Sequence, residues 1–178
     1  MRRTLVLGTS LAVMLAGATV ALAGDGDDDY GYPTKSSATS TGTATTSTVG
    51  RETKTYSYRT TLAARAEVPK PKAPAGAGGS FSATVRDNGS KATVRWTLSF
   101  RGLSGAALAA HIHLARPGVA GPVVVPLCGP CKSGAKGTGT LSHDQAEMLE
   151  KGRGYVNVHT KRNPNGEIRG QLRLTSHA

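Results

Sequence analysis

Three histidines and two cysteines are the side chains of this sequence best suited to chemistry. His111 and His113 lie two residues apart in the run Ala-His-Ile-His-Leu. In an extended strand such residues point to one side, roughly 6–7 Å apart. Ala110, Ile112 and Leu114 then point the other way, toward a core. In Tyr155–Thr160, Val156 and Val158 take the core face and leave Tyr155, Asn157 and His159 outward. If the two strands are neighbours, the three imidazoles converge, and three neutral histidines suit Zn²⁺ or copper. A polar hydrogen-bond network of the same histidines with Asn157, Glu167 and Arg169 competes with that reading. Under the metal reading Asn157, Glu167 and Arg169 stand behind the ligands as supporting groups.

Cys128 and Cys131 flank Gly-Pro and are the only cysteines. In an exported chain a disulfide clamping a loop is the default. The four letters are also those of the thioredoxin active site, so a thiol–disulfide activity is a further alternative. That activity needs a helix N-terminus to depress the first thiol's pKa. Here the pair runs into Lys132-Ser133-Gly134-Ala135-Lys136-Gly137, a poor helix start, with no βαβ pattern around it.

The elements that position these residues follow from periodicity. In Lys91–Phe100, Ala92, Val94, Trp96, Leu98 and Phe100 share one face and polar residues the other, the pattern of a half-buried strand. Phe81, Ala83 and Val85 alternate likewise, and Asn88-Gly89 between the two runs predicts a hairpin. Tyr56, Tyr58, Thr60 and Leu62 predict an earlier strand reaching to Pro69. Ala109–Ala115, Pro122–Leu127, Tyr155–Thr160 and Glu167–Leu174 predict four more, the last two joined through Asn163-Pro164-Asn165-Gly166. Symmetry about Pro164 would set His159 opposite Arg169 and Lys161 opposite Glu167. Ser142-His143-Asp144-Gln145 is a capping box and Gly152 a stop, so one short helix is expected, with Met148 and Leu149 inward. Seven or eight strands with one helix suggest a β-sandwich.

The ends of the chain differ from this domain. Arg2 and Arg3, an apolar run from Leu5 to Ala21, and Ala21-Leu22-Ala23 form a secretory signal over 1–23 with cleavage before Gly24. No cysteine follows the run, so a lipid anchor is not expected, and ordinary secretion is favoured over a twin-arginine route. Residues 24–50 are acidic and then rich in Ser and Thr, with too few apolar side chains to offset ordering entropy. They are expected to form a disordered stalk. The domain is then 51–178, a secreted, extracellular, cell-surface or periplasmic module with no integral membrane span after cleavage.

Charge points to partners. The chain holds 22 basic and 11 acidic residues. Asp25, Asp27, Asp28, Asp29, Arg2, Arg3 and Lys35 precede residue 51, which leaves 19 basic and seven acidic residues in the domain. An anionic polymer is therefore a candidate extracellular ligand. Few aromatics are available at the surface (Tyr56, Tyr58 and Tyr155 at most), so stacking on single-stranded nucleic acid is poorly supported, and no sequence-specific nucleic-acid partner is expected. No phosphate loop, nucleophile elbow or triad signature marks an enzyme.

Three segments resemble one family. Leu62 to Pro69 (LAARAEVP), Ala110 to Val125 (AHIHLARPGVAGPVVV) and Gly154 to Leu172 (GYVNVHTKRNPNGEIRGQL) are similar, in order and spacing, to the CHRD (chordin-type) domain. The resemblance implies an all-β, immunoglobulin-like or superoxide-dismutase-like antiparallel β-sandwich. It also implies an exported single-copy domain of a kind mostly without assigned function; a non-catalytic extracellular binding or structural module is the favoured reading, ahead of a metal-binding, redox-active protein. The outward His-x-His pair is similar to the copper-binding strand of copper–zinc superoxide dismutase, but a bridging histidine and an Asp ligand are not apparent. Chordin's cysteine-rich modules are absent, so growth-factor binding does not carry over.

Overall fold

The computed structural model describes residues 51–178. The expected signal peptide and stalk lie outside the described residues. The strands are β1 (Lys54–Ala63), β2 (Gly78–Asp87), β3 (Lys91–Arg101), β4 (Ala107–Leu114), β5 (Val123–Cys128), β6 (Ala135–Ser142), β7 (Gly154–Thr160), β8 (Ile168–Gln171) and β9 (Arg173–His177). The helix α1 (His143–Glu150) joins β6 to β7.

The antiparallel order is β5-β4-β7-β8-β1-β2-β3-β6, with β9 beside β1. Only Ala63 and Arg169 pair at the β1–β8 join. That narrow join separates a β5-β4-β7-β8 layer from a β1-β2-β3-β6 layer. Strands β5 and β6 meet at the far side, which gives a nearly closed β-sandwich. One core fills it. Ile112, Val156, Val158 and Ile168 come from one layer; Tyr58, Leu62, Val94 and Leu98 come from the other. Each is at most 1 % exposed, and burying one such side chain contributes about 1.5–3 kcal/mol.

Local chemistry explains the connections. Gly89 has φ 75°, and the Asn88 carboxamide oxygen accepts from the backbone N–H of Ser90 and Lys91, closing the β2–β3 hairpin. The Ser142 hydroxyl accepts from Gln145 N–H, and the Gln145 side chain accepts from Ser142 N–H, so the capping box forms at α1. Ala146 and Leu149 are the buried helix residues, while Met148 is only half-buried.

The structure corrects several other expectations. Strand β1 ends at Ala63 rather than Pro69, because Ala64–Ala66 form a tight 3-10 turn that Glu67 N–H closes onto Ala64 O. The last expected strand is two, broken at Leu172, whose side chain is buried and whose N–H donates to Gly154 O. Strand β6 is an addition to the strands that periodicity predicts. Its inward positions include Gly137 and Gly139, whose space is taken by the Trp96 ring and the Val125 side chain. The apolar alternation that marks a strand is therefore supplied by its neighbours. Tyr56, Tyr58 and Tyr155 are buried at 5 %, 1 % and 3 % exposure, so none is a surface aromatic.

Candidate metal centre

Strand parity delivers the histidines. Ala110 and Ile112 are fully buried, so His111 and His113 emerge on the opposite face of β4. The β4–β7 register sets His111 against Asn157, His113 against Tyr155, and Ala109 against His159. His159 therefore lies diagonally beside His111. One nitrogen from each of the three rings lies within 4.8 Å of the others. His111 Nδ1 and His159 Nε2 are 3.1 Å apart.

This face is not open to solvent. The 115–122 loop covers it, with Gly121 O accepting from His113 Nδ1 at 2.9 Å, Gly121 N donating to the Tyr155 hydroxyl, and Val119 O accepting from Arg169. Ala115 O accepts from Gln171, and Pro164 O of the following turn accepts from His159 Nδ1 at 2.9 Å. His113 is only 8 % exposed, while His111 and His159 are half-buried.

A stack fixes one imidazole. The Tyr155 ring lies parallel to His113 with centroids 4.7 Å apart, and the Arg169 guanidinium is 3.4 Å from the Tyr155 centroid. Desolvation lowers the pKa of all three histidines. His111 falls to about 4, through burial first and the neighbouring imidazoles second. His113 is lowered by burial, against the opposing hydrogen bonds from Gly121 O and Asn157. Burial lowers His159 too, against the Pro164 carbonyl. Three neutral imidazoles at pH 7 are the form a metal ion requires.

The hydrogen-bond inventory is unbalanced here. A backbone carbonyl only accepts, so Gly121 O and Pro164 O place the proton on Nδ1 of His113 and of His159. Their Nε2 atoms then carry lone pairs. Both face Asn157 Oδ1, at 3.0 and 2.9 Å, which is also an acceptor. His111 Nδ1 is within reach of His159 Nε2 alone, to which that tautomer would donate, while His113 Nε2 and Asn157 Oδ1 face each other as two acceptors.

Of the supporting residues expected from sequence, Asn157 lies against His113 and His159, and Arg169 stacks on Tyr155. Glu167 is not behind the histidines. It is fully buried and accepts from Ser104 N, the Ser104 and Thr160 hydroxyls, and the Asn163 amide. Burial opposes its ionisation, but these hydrogen bonds together hold its pKa below the usual value. The hairpin register also differs: Asn157, not His159, pairs with Arg169, and Glu167 N–H bonds Val158 O. The cause is Asn163, whose amide bonds Ser104, Glu167 and the Lys72 backbone, so the turn centres there rather than on Pro164.

Glu67 was not singled out as a site residue in the sequence. It is buried beside Asn157, its Oε1 accepts from Val68 N–H, and its Oε2 is buried without a hydrogen bond. Burial raises its carboxyl pKa, opposed by Val68 N–H, by the Arg169 charge and by the Asn157 amide, which lies near Oε2 without closing a hydrogen bond to it. The available signal was a carboxylate two residues before Pro69 in an otherwise apolar and basic segment. At the end of β5, Cys128 and Cys131 form a disulfide. Cys131 sits in the loop before β6, bonded through N–H to Ala107 O, and not at a helix N-terminus.

Residues 58–172 match the CHRD domain family. The chain belongs to the CHRD family. Its three signature-like segments are the pieces that build this site. Leu62–Pro69 brings Glu67. Ala110–Val125 brings His111, His113 and the covering loop. Gly154–Leu172 brings Tyr155, Asn157, His159 and Arg169. Neither a curated protein nor a solved structure gives a match. CHRD domains are typically extracellular. Among the described residues, no helix is long and apolar enough to cross a membrane.

Proposed function

We propose that this CHRD domain is an exported, non-catalytic module that holds one copper or zinc ion through His111, His113 and His159. The observation that carries the reading is the meeting of lone pairs. With the Asn157 amide oriented this way, His113 Nε2 and His159 Nε2 both face its Oδ1, an acceptor that has no proton to offer either. A cation among them turns a repulsive arrangement into a ligand set. The 4.8 Å spread is wider than the roughly 3.3 Å between nitrogens of a tetrahedral site with bonds of about 2.0–2.1 Å. Closing that gap requires a ring rotation, for which half-buried His111 and His159 are the candidates. The carbonyls of Gly121 and Pro164 orient the other two rings, as supporting groups do at metal sites.

One observation favours a polar network instead. Turning the Asn157 amide over would let its NH₂ donate to both Nε2 atoms and would bring its oxygen toward Glu67. A protonated Glu67 would then donate back, and its raised pKa suits that role. Titration of the purified full chain with Cu²⁺ and with Zn²⁺ separates the two. Tight one-to-one binding that His113→Ala weakens strongly supports the metal reading. Absence of binding, or binding unchanged in that variant, leaves the network. The export signal and the Ala21-Leu22-Ala23 site support secretion; an intact mass beginning at Gly24 tests it, and retained Met1 in exported protein would refute it.

A further inference from the structure

The outer face of the other layer carries a second recognition surface. Register lines up Arg173, Arg59, Ser82, Thr97 and Lys136 in one row straight across β9, β1, β2, β3 and β6. Neighbouring strands lie about 4.8 Å apart, so cations at the two ends of this row flank hydroxyls in the middle over roughly 14–19 Å. Parallel rows on either side hold Thr61, Ser80 and Ser99, and Ser57, Thr84 and Arg95. An open groove of about 790 Å³ runs along this face, bordered by Arg59, Arg65 and Arg173, and a second of about 410 Å³ continues it to Arg95 and Lys136. No acidic residue lines either groove.

The cations here are uncompensated. Among the described residues the Lys–carboxylate ion pair lies at α1 instead, between Lys151 and Glu147, and the His143 ring meets Asp87 and Glu147 there too. The aromatic rings that border the grooves, Tyr58, Phe81 and Trp96, belong to the core and are at most 5 % exposed. No ring is therefore free to stack on a base or on the apolar face of a neutral sugar. The hydroxyls of Ser80, Ser82, Thr97 and Ser99 between the cations suit a hydroxylated chain, and arginine forks suit carboxylate or sulfate groups repeated along it.

From charge complementarity, hydroxyl lining and the lack of stacking rings, we infer that this sheet face binds an anionic polysaccharide. The binding does not rest on the metal reading, since it uses the opposite layer. Binding of the full chain to polygalacturonate and to dextran sulfate tests it, with neutral dextran, single-stranded DNA and phosphatidylglycerol vesicles as alternatives. Either charged polysaccharide should bind, more weakly as salt rises, and which one binds better names the anionic group. The triple variant Arg59→Gln, Arg173→Gln, Lys136→Gln should lose at least about tenfold in affinity. A charge-matched variant, Arg51→Gln, Arg153→Gln, Arg162→Gln, should lose less than threefold by the same reasoning. Both should keep the wild-type melting temperature and the wild-type response to Cu²⁺ and Zn²⁺. Equal losses in the two variants would overturn the inference, since net charge alone would then suffice. Equal binding of neutral dextran, tighter binding of DNA or vesicles, or no binding of either charged polysaccharide would also overturn it.

Discussion

The two outer sheet faces start from the same rule and end as different environments. On β4, β7 and β8 the outward residues are roofed by the 115–122 loop and the turn at Asn163–Gly166. His113, Tyr155, Asn157 and Arg169 there are as hidden as core residues. On β1, β2 and β3 the outward residues Arg59, Ser80, Arg86 and Arg95 have no roof and stay exposed. Alternation decides which way a side chain points, but a covering loop decides what it meets. A roofed polar face must account for every proton, because an unpartnered buried polar group costs about 1–3 kcal/mol. An open face has water to make up any deficit and can stay electrostatically loose.

The largest contrast should appear in ligand response. His113→Ala should lower Cu²⁺ or Zn²⁺ affinity by more than the roughly 10–100-fold typical of losing a group behind the ligands. Arg59→Gln, on the open face, should leave metal affinity unchanged. Calorimetric titration of both variants makes the comparison, and a similar loss in both would break it.

The roof itself can be attacked next. Gly166 has φ 125°, and a Cβ there would strike the Glu67 carboxylate and the Asn157 amide. Gly166→Ala should destabilise the domain by about 2–3 kcal/mol in urea unfolding, through strain and crowding. A change under about 0.5 kcal/mol, ordinary for an exposed site, would mean the roof is loose.

Acid should act on the roofed face first. His111 titrates near 4 in the folded chain against 6.5 ordinarily, and His113 and His159 are lowered in the same direction. The unfolded chain therefore takes up protons first as pH falls. The metal-free protein should hold its full histidine contribution above about pH 6.5 and lose it progressively toward about pH 4. Glu67 has the opposite sign, since a raised carboxyl is least costly when protonated, so it softens the low end of that loss. His111→Gln should flatten the slope of stability between pH 6.5 and 4. An unchanged slope would remove that histidine from the account.

Smaller still is the disulfide. It joins residues three apart, so the loop it closes in the unfolded chain is short, and reduction should cost about 2 kcal/mol or less. Thiol labelling of native protein should find none free. Two readily labelled thiols would revive the redox reading. Least of all, Arg59→Gln should change unfolding stability by no more than about 0.5 kcal/mol.

The sequence made the direction of each histidine legible, because Ile112, Val156 and Val158 announce the core and leave the even-odd partners outside. It also marked the α1 cap and the Asn88-Gly89 hairpin, where short-range chemistry suffices. What it hid depended on distant residues. The β7–β8 register was set by Asn163 bonding Ser104 and Lys72, far off in the chain. Strand β6 was concealed because Trp96 and Val125 fill the space over its glycines. Glu67 looked like the tail of a strand, and only the fold brings it to Asn157. The burial of Tyr155 likewise depends on Gly121 and Arg169, which arrive from other segments.

The near closure of the sandwich also governs how copies of this molecule meet one another. An open sheet offers rows of unbonded amide and carbonyl groups on which another chain can grow. Here the two terminal strands of the hydrogen-bonded path face each other, and β5 carries Pro126, which has no N–H to give. Among the described residues β9 is a further free border, five residues long and bearing Arg173 and His177. So short and charged a border is a poor template for intermolecular strand pairing, and concentrated solutions of the folded domain should resist fibril growth.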